Sequence, residues 1–441
     1  MKKPEKPPVV KEKPTYSQIM SELIQIGKFT DFFKIEETEY PYWEKWKYMS
    51  KAWGIDSEKI WSCAKSNRRA QKKINFSSIP GFTFSFNTPS VIQKYLHGLD
   101  LNLGGTLQSE SLIPVQDKDR YLVSSIMEEA IASSQIEGAV TTREVAKEML
   151  EKSQPPKNKS EQMIVNNYNT MKWIVENKNI EMSENFLLKI HKIITTQTLN
   201  NYEDEGHLRR NDDIKIFDEK NEIFYTPPEQ KHLATLIKDF VAFANDKNED
   251  YVFIHPIIKG IILHFLIGYI HPFADGNGRT ARTIFYWYLI RKGYWLIEYM
   301  SVSRIILRAK AKYARAYLFT EYDDNDLTYF ILYNIKCISV SLDELKLYIQ
   351  NKTDEKKQVL SLIKNTDFNE RQIVLIKDIL VDKTKYFTVK EVEQRFKVSN
   401  QTSRNDLTNL VSKNILLPNI TGKQTRFFAS PNFERHLKIK Q

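Results

Sequence analysis

The amino-acid sequence predicts a mostly α-helical protein that also contains one small β-hairpin and ends in a winged helix-turn-helix. Three observations support this fold class. Apolar residues recur at helical spacing through most of the chain between residues 121 and 350. One segment alternates instead, because Ile214, Lys215 and Ile216 and then Ile223–Tyr225 flank a polar run, as in a hairpin. Finally, Phe387–Phe428 has the order helix, turn, helix, hairpin of a winged helix-turn-helix.

The composition is that of a globular protein with several domains. The chain has 441 residues, which gives a prior of roughly three domains. Its two cysteines, Cys63 and Cys337, exclude a disulfide scaffold and favour a reducing compartment, so we expect a cytoplasmic protein. The most apolar stretch, Ile257–Tyr269, contains Lys259 and His264 and is too short to span a membrane. A membrane location is therefore not expected.

The N-terminal third is expected to be peripheral to the function. Residues 1–15 hold five lysines and four prolines and are predicted to be a disordered tail. Residues 16–120 are predicted to form a helical extension, with helices over Ser17–Phe33 and Asp56–Lys73. The Pro-, Gly- and Ser-rich segment Ile79–Pro89 is predicted to be a loop.

The middle of the chain contains the strongest helical patterns. Tyr121–Glu137 is apolar at helical spacing and is followed by Gly138, a residue suited to a helix C-terminus. His255–Ile270 is apolar on all sides, which predicts a helix at the centre of a domain. We divide the rest into helices over residues 121–180, a core over 181–335, a helical linker over 336–367 and the winged helix-turn-helix over 368–437. Further helices are predicted over Ser160–Asn177, Glu184–Thr196, 278–292, Ser303–Tyr322, Leu327–Gln350, Val389–Phe396 and Asn400–Lys413.

The most informative segment is HPFADGNGRTAR, His271–Arg282. It joins the end of a buried helix to the start of the next helix. Two glycines, Gly276 and Gly278, allow backbone N–H groups to converge on an anion, and the following helix adds its own free N–H groups and its dipole. Arg279 and Arg282 are three residues apart on that helix, so both guanidinium groups can face the loop.

Two further side chains add reactive chemistry to this anion site. Asp275 offers a hard oxygen ligand where a phosphate-bound Mg²⁺ would lie. His271 offers an imidazole suited to general base catalysis near neutral pH. This combination indicates phosphoryl or nucleotidyl transfer. The Walker motif is absent, the loose dinucleotide pattern follows a helix instead of a strand, and an EF-hand register from Asp275 lacks its required glycine and glutamate.

The segment closely resembles the signature of the Fic family, HPFx[DE]GNGRxxR, without departures. Other matching features are His255-Pro256 ahead of the motif, and Gly206–Arg209 with Tyr225–Pro228 around the hairpin. The resemblance covers about residues 121–335 and implies the Fic helical core with a β-hairpin flap. It also implies transfer of AMP from ATP to a Ser, Thr or Tyr hydroxyl of a target protein, with Mg²⁺ as cofactor.

The resemblance implies a role for each motif residue. His271 would deprotonate the target hydroxyl, and Asp275 would bind Mg²⁺. The flap residues Ile214, Lys215 and Ile216 would bind the target, and Tyr313 would lie on the adenine side. The phosphates would be held by a group that comprises Gly276, Asn277, Gly278, Arg279, Thr280 and Arg282.

A second motif resembles the inhibitory pattern of the same family, [ST]-x-x-x-E-[GN]. Ser133 and Glu137 are four residues apart and share a helix face, and Gly138 follows. The resemblance implies that Glu137 pairs with Arg282 and so occupies the group that should hold the γ-phosphate. Some members with this glutamate also remove AMP, and the sequence leaves open whether this protein does.

Two alternatives remain beside an autoinhibited protein AMP-transferase. A few Fic relatives transfer other phosphate groups, but Gly278 favours ATP and AMP here. The chain could instead be a DNA-binding regulator that acts through Asn400–Lys413, with the Fic core as a nucleotide sensor. The net charge of +10 favours a polyanionic partner, and residue types that contact base edges begin this helix. DNA binding by the winged helix and a homodimer are both left open.

Overall fold

The computed structural model describes residues 3–9, 16–68, 71–104, 118–217, 223–246, 253–364, 368–421, 424–431 and 433–436. The chain divides into two compact units, residues 1–345 and residues 346–441. Helices dominate, and the described strands form only small antiparallel sheets. The predicted fold class is therefore confirmed.

The N-terminal extension differs from its prediction in three places. The predicted helix Asp56–Lys73 ends at Asn67, and Lys72 and Lys73 instead begin a strand. The predicted helix Ser17–Phe33 is broken at Gly27, which adopts a positive φ of 69° and separates two helices. The predicted loop Ile79–Pro89 contains the second strand of a hairpin that the sequence analysis missed. The elements are α1 Tyr16–Gln25, α2 Phe29–Glu39, α3 Trp43–Trp53, α4 Ser57–Asn67, β1 Lys72–Asn75, β2 Thr83–Phe86 and α5 Ser90–Leu103.

Part of the predicted disordered tail contacts this extension. The backbone N–H of Glu5 donates to Glu44 (3.0 Å), and the Tyr42 hydroxyl donates to the carbonyl of Glu5 (2.9 Å). The Lys3 ammonium donates to the carbonyl of Ile223 (2.8 Å). Residues 3–9 are thus ordered against the first unit, whereas residues 10–15 lie outside the described chain.

Hydrogen bonds around an ion pair buried inside the extension fasten the extension to the rest of the first unit. Arg68 and Glu36 are each 2% exposed and are joined by Nη2 and Oε1 at 2.7 Å. The Nη1 atom of Arg68 also donates to the hydroxyl of Tyr329 (2.7 Å), and the Tyr40 hydroxyl donates to Asp326 (2.6 Å). Because a buried charge is costly unless it is paired, these bonds fix how the two parts pack.

The centre of the first unit is a pair of buried helices, α11 (Pro256–Ile270) and α12 (Asn277–Arg291), which are joined by a short loop. Almost every residue of Ile257–Ile270 is buried, as the uniformly apolar pattern predicts. The surrounding helices bury apolar faces against this pair. The helices are α6 Lys118–Ile136, α7 Arg143–Glu151, α8 Lys159–Glu176, α9 Glu184–Thr195, α10 Leu233–Ala244, α11 Pro256–Ile270, α12 Asn277–Arg291, α13 Val302–Leu307, α14 Lys310–Tyr322 and α15 Thr328–Lys364.

The predicted hairpin is present beside this core. Its strands β3, Ile216–Phe217, and β4, Ile223–Tyr225, are antiparallel, with Ile216 opposite Tyr225. The polar tip at residues 218–222 lies outside the described chain. Since the Tyr225 hydroxyl donates to the carbonyl of Tyr269 (2.6 Å), the hairpin is fastened to the end of α11.

The second unit has the predicted winged helix-turn-helix. Its apolar core includes Leu375, Phe387, Val392, Leu407 and Phe427. The three-stranded sheet has the order β5 (Tyr386–Phe387), β7 (Gln424–Ala429), β6 (Leu416–Thr421), and the hairpin of β6 and β7 forms the wing. The elements are α16 Glu370–Val381, β5 Tyr386–Phe387, α17 Val389–Phe396, α18 Asn400–Ser412, β6 Leu416–Thr421, β7 Gln424–Ala429 and α19 Phe433–His436.

Candidate active site

His271 ends α11 in an unusual backbone conformation. Its φ and ψ are 49° and 58°, the left-handed region, so the chain turns sharply out of the helix. Its Nδ1 lies 3.3 Å from the carbonyl of Gly268. A carbonyl can only accept, so Nδ1 carries the proton and Nε2 keeps a free lone pair. Burial lowers the pKa of His271, which keeps the ring neutral and able to accept a proton at neutral pH.

The loop after His271 is shaped by Gly276 and Asn277. Gly276 has a φ of 83°, and a Cβ added to it would lie 2.9 Å from Cγ2 of Thr195, so glycine is required twice over. The Asn277 side chain accepts from the N–H of Phe273 (3.0 Å) and donates to its carbonyl (2.8 Å). That side chain is therefore committed to the loop, and only the backbone of Asn277 is available to an anion.

A histidine that the sequence analysis did not identify supports the same loop. The Nδ1 atom of His191 accepts from the N–H of Gly206 (3.1 Å), so its Nε2 donates to the carbonyl of Asp275 (2.9 Å). Burial lowers the pKa of His191 to about 4, which keeps it neutral. Its ring also stacks on Phe273, with centroids 3.7 Å apart. His191 belongs to no recognisable sequence motif, and it contacts the loop only because α9 packs against that loop.

Arg209 connects the loop to the hairpin. Its Nε donates to the carbonyl of His271 (3.0 Å), and its backbone N–H donates to the carbonyl of Pro272 (2.9 Å). The same guanidinium donates to Asp212 (2.8 Å) and to the carbonyl of Pro228, at the two ends of the hairpin segment. The segment Gly206–Arg209, quoted above for its resemblance, therefore has a structural role beneath the site.

The first residues of α12 carry donors without partners among the described residues. Arg279 and Arg282 are 1% and 2% exposed, and Nε of Arg279 and Nη1 of Arg282 are buried without a hydrogen bond. The Thr280 hydroxyl is likewise buried and unbonded. Unbonded buried donors are costly, and an anion at this helix N-terminus would relieve that cost for the two arginines.

Glu137 lies directly beside these donors. Its Oε1 accepts from Nη2 of Arg282 at 3.0 Å, while Ser133 accepts from the same guanidinium through its hydroxyl and its carbonyl, each at 2.9 Å. A Cβ added to Gly278 would overlap the Glu137 carboxylate. Gly138 has a φ of 96° and ends the turn. The Glu137 side chain is 28% exposed, so it is less buried than its sequence context suggested.

A buried carboxylate fixes the helix that presents Glu137. Glu129, on α6, accepts from the hydroxyl of Tyr286 (2.8 Å) and from the backbone N–H and hydroxyl of Ser303. It is 2% exposed, and burial raises its pKa. Because Tyr286 lies on α12, this network holds α6 in register with the helix that carries Arg282.

His271, the loop after it and Glu137 border one cavity of about 470 Å³. The loop and Glu137 form one end, and the hairpin covers a side. Helix α14 lines it with Tyr313, whose hydroxyl bonds to His264 (2.7 Å) and whose pKa burial raises. The lining residues are Glu137, Ile214, Lys215, Ile216, Phe224, Tyr225, Gly268, His271, Ala274, Asp275, Gly276, Asn277, Gly278, Tyr313, Ala314, Tyr317 and Glu321.

The loop after His271 offers one carboxylate to a metal ion. Asp275 borders the cavity and its side chain is 55% exposed, with Arg279 at 3.8 Å. Within the described ranges no group of three or more His, Cys, Asp or Glu is arranged to hold an ion. Mg²⁺ is commonly held by one or two carboxylates together with substrate phosphates, so a single aspartate beside an anion site fits it.

Fold and site together define a class: an α-helical protein whose glycine-containing loop, between two buried helices, presents an anion site beside a neutral histidine. The profile of the Fic/DOC family matches residues 181–289, and that of the DeoR-like helix-turn-helix domain matches residues 375–422. This chain thus carries a Fic/DOC family domain and a C-terminal DeoR-like helix-turn-helix domain.

Similar proteins agree with this assignment. The protein adenylyltransferase Fic of Drosophila virilis is 27% identical over 148 residues, which are 33% of this chain and 28% of the relative. The Drosophila willistoni protein of that name is 26% identical over 159 residues, or 35% and 29% of the two chains. The match thus spans less than a third of each relative. A Fic family protein from Desulfovibrio desulfuricans G20 shares the fold, with a TM-score of 0.51, 19% identity and coverage of 77% of this chain and 96% of that chain.

Proposed function

We propose that this protein is an autoinhibited protein AMP-transferase, which moves AMP from ATP to a Ser, Thr or Tyr hydroxyl of a target protein. One observation carries the proposal. A neutral histidine, the Asp275 carboxylate and the glycine loop at the start of α12 border one cavity, and the Glu137 carboxylate at its edge accepts from Arg282. The adenylyltransferase names of the matching relatives support the same reaction.

In the proposed reaction the target hydroxyl attacks the α-phosphorus of ATP. Nε2 of His271 takes the hydroxyl proton as the new P–O bond forms, and pyrophosphate leaves as the bond to the β-phosphate breaks. The Nδ1–H bond to Gly268 holds the ring in the tautomer that this step needs. Arg209 fixes the backbone beneath the ring, so the base keeps its position without a second side chain.

The phosphates would be bound by the start of α12. Backbone N–H groups from Gly276 onward and the unbonded Nη1 of Arg282 suit the charge of a triphosphate. Asp275 would hold Mg²⁺, which neutralises phosphate charge when bound. The fixed side chain of Asn277 keeps the loop open toward these oxygens.

The autoinhibition follows from competition for Arg282. Glu137 and a γ-phosphate both need the same guanidinium, and two anions cannot share the space above Gly278. In the resting state ATP would bind with its α-phosphorus out of line. Removal of AMP from a modified target, with Glu137 aligning a water, would be a further activity, which loss of label from a pre-labelled target would detect.

The hairpin is proposed to bind the target segment. Ile214 and Lys215 border the cavity ahead of β3, and an extended peptide can pair with an exposed strand edge through main-chain bonds. Such pairing depends little on side chains, so it suits self-modification as well as modification of another protein.

The test is transfer of label from α-labelled ATP to protein, in the parent, in Glu137→Gly and in Glu137→Gly with His271→Ala. We expect labelling in Glu137→Gly and a loss of about 10²–10⁴-fold when His271 is also replaced, with ATP binding retained. As a control, His232→Ala combined with Glu137→Gly should be labelled as strongly as Glu137→Gly alone. Equal labelling with and without His271 would contradict its assigned role.

A second function, DNA binding, is favoured by the DeoR-like match and by the surface of α18. Asn400, Gln401, Arg404 and Asn405 are exposed on this helix, and residue types of this kind contact base edges. A gel shift of the full chain at several salt concentrations tests it. Arg404→Ala should weaken binding, whereas Lys377→Ala, an exposed cation on α16, should not; no salt-dependent shift would exclude DNA.

We place this activity in the cytoplasm. Both cysteines, Cys63 and Cys337, are free and buried, as suits a reducing compartment. None of the described helices combines the length and apolar character needed to cross a bilayer.

A further inference from the structure

A second cavity, of about 400 Å³, lies in the first unit and shares no described lining residue with the cavity that His271 borders. Its walls come from the β1–β2 hairpin, the end of α10, the first turn of α11 and the last turn of α12. Lys259, in that first turn, lies about 18 Å along the helix axis from His271, at 1.5 Å per residue. The second cavity is large enough for a small molecule, because such sites usually have about 300–1,000 Å³.

Positive charge dominates this second cavity. Its described lining contains four lysines and one aspartate, an excess of three positive charges: Lys72, Lys73, Lys259, Lys292 and Asp246. Lys259 is only 7% exposed, and a buried charge is costly unless it is paired. Asp246 accepts from Lys259 and, at 2.6 Å, also from Lys292. Because one carboxylate serves two ammonium groups, one positive charge of this trio is left without a counter-charge in the described lining.

Lys72 adds a third cation from the hairpin wall. Its ammonium group donates to the carbonyl of Phe253 (3.2 Å), and no carboxylate of the described ranges forms an ion pair with it. An ammonium group has three N–H donors. Lys72 therefore keeps donors for an anion in the cavity, as do Lys259 and Lys292 beyond their bonds to Asp246.

Aromatic rings accompany these cations. A ring face attracts a cation but is a poor substitute for a charged acceptor, so the nearby rings leave the ammonium groups able to bind an anion. Phe253 borders the same cavity and is 72% exposed, which offers an apolar surface beside the cations. The distances from Nζ to the ring centroid are 5.8 Å for Lys72 and Phe86, 4.5 Å for Lys259 and Phe243, and 5.5 Å for Lys292 and Tyr288.

We propose that this second cavity binds a small phosphate monoester that carries a planar apolar group. Lys259 and Lys292 bind the phosphate, Lys72 adds to the attraction, and the planar group lies against Phe253. A phosphate monoester has a charge of about −1.5 to −2 at pH 7, which matches the excess of positive charge better than a carboxylate does. Lysine binds phosphate as a point charge. The site is independent of the AMP transfer proposed above, since it uses none of the same residues.

The first test is calorimetry of the full chain with phenyl phosphate. Lys292→Met should weaken binding by about 10- to 150-fold, the range of one charge-assisted hydrogen bond, and Lys292→Arg should keep most of the affinity. Lys172→Met is the matched control, because Lys172 is also exposed and lies 5.7 Å from the ring centroid of Tyr168 outside the cavity. Absence of binding to the parent, or equal affinity in the parent and Lys292→Met, would overturn the proposal.

The second test removes the only carboxylate of the described lining. Asp246→Asn should bind phenyl phosphate several-fold more tightly than the parent, because the competing negative charge is gone. General destabilisation would weaken binding in every variant, so opposite effects of Asp246→Asn and Lys292→Met support a ligand site. If Asp246→Asn weakened binding as Lys292→Met does, the ion pairs would serve only to join α10, α11 and α12, and the proposal would be wrong.

The third test identifies the ligand class from the part of the affinity that depends on Lys292. Inorganic phosphate and benzoate should both bind more weakly than phenyl phosphate, since each lacks one of the two recognised groups. Equal affinity for inorganic phosphate would remove the role of Phe253, and equal affinity for benzoate would contradict the preference for phosphate. AMP binding more tightly than phenyl phosphate would assign the site to nucleotides, and the reverse order would assign it to simpler aromatic phosphates.

Discussion

Replacing Glu137 with glycine should activate the protein. The substitution removes the carboxylate that accepts from Arg282 at 3.0 Å and that covers Gly278. Arg282 keeps its two bonds to Ser133, each 2.9 Å, so the guanidinium stays oriented while its remaining donors become free for phosphate. The anion end of the cavity then becomes available to the γ-phosphate.

The expected magnitude follows from the geometry. Misplacement of reacting atoms by about 1 Å can cost roughly 10²-fold in rate, and a carboxylate above Gly278 displaces the triphosphate by at least an atom's width. We therefore expect protein labelling to rise by about 10²-fold, with a much smaller change in ATP affinity. The folded state loses one charge-assisted hydrogen bond, about 1.5–3 kcal/mol, which a thermal melt can register.

The assay is label from α-labelled ATP on protein, with initial rates for five proteins. Glu137→Gln should be intermediate, since an amide still fills the space but carries no charge. Glu151→Gly, a glutamate-to-glycine change at the end of α7, should match the parent. Arg282→Ala should abolish labelling even together with Glu137→Gly, because the γ-phosphate loses its anchor. Equal labelling of the parent and Glu137→Gly would refute the argument and leave Glu137 as a structural residue.

Three other predictions concern the same cavity. Asp275→Ala should remove the Mg²⁺ dependence of ATP binding in calorimetry, with Asp275→Asn intermediate; an unchanged dependence would contradict a metal role. Lys215→Pro should reduce protein labelling without changing ATP affinity, whereas Lys215→Ala, which keeps the backbone N–H, should change neither quantity. If Lys215→Pro reduced labelling and ATP affinity equally, the hairpin would be a nucleotide lid instead. Burial lowers the pKa of His271, and the nearby Glu137 charge raises it by a smaller amount. Without that charge, the fall in labelling rate on the acid side of the pH profile should lie at lower pH in Glu137→Gly than in Glu137→Asp. If the fall occurred at the same pH in both variants, His271 would not be the titrating base.

Local sequence was sufficient to predict the backbone of the loop, because one contiguous segment contains it. His271–Arg282 contains the helix end, the turn glycines and the next helix start, and each of these depends on neighbours in the chain. The buried position of α11 was equally predictable, because a helix that is apolar on all sides must be buried in a water-soluble protein. The winged helix-turn-helix followed from element order alone.

Long-range contacts were not predictable from the same patterns. His191 and Arg209 support the loop from distant segments, and neither has a spacing that signals it. Strands β1 and β2 have four residues each and lie among turn-forming residues, so their alternation was too short to detect. The apolar helical pattern of the sequence continues past Gly27, but the helix itself ends there. Glycine adopts a positive φ without steric cost, so it allows the chain to leave the helix at this position.

The left-handed backbone of His271 has a consequence for evolution of this loop. A side chain with a Cβ in this region costs roughly 1–2 kcal/mol relative to the right-handed region, and glycine or asparagine is the usual solution at such helix ends. The sequence therefore retains at this turn a residue that thermodynamic selection alone would replace. A search for thermostable variants that ignores catalysis should recover glycine or asparagine at position 271, so heat-selected libraries would become enriched in proteins that still fold but have lost the proposed base.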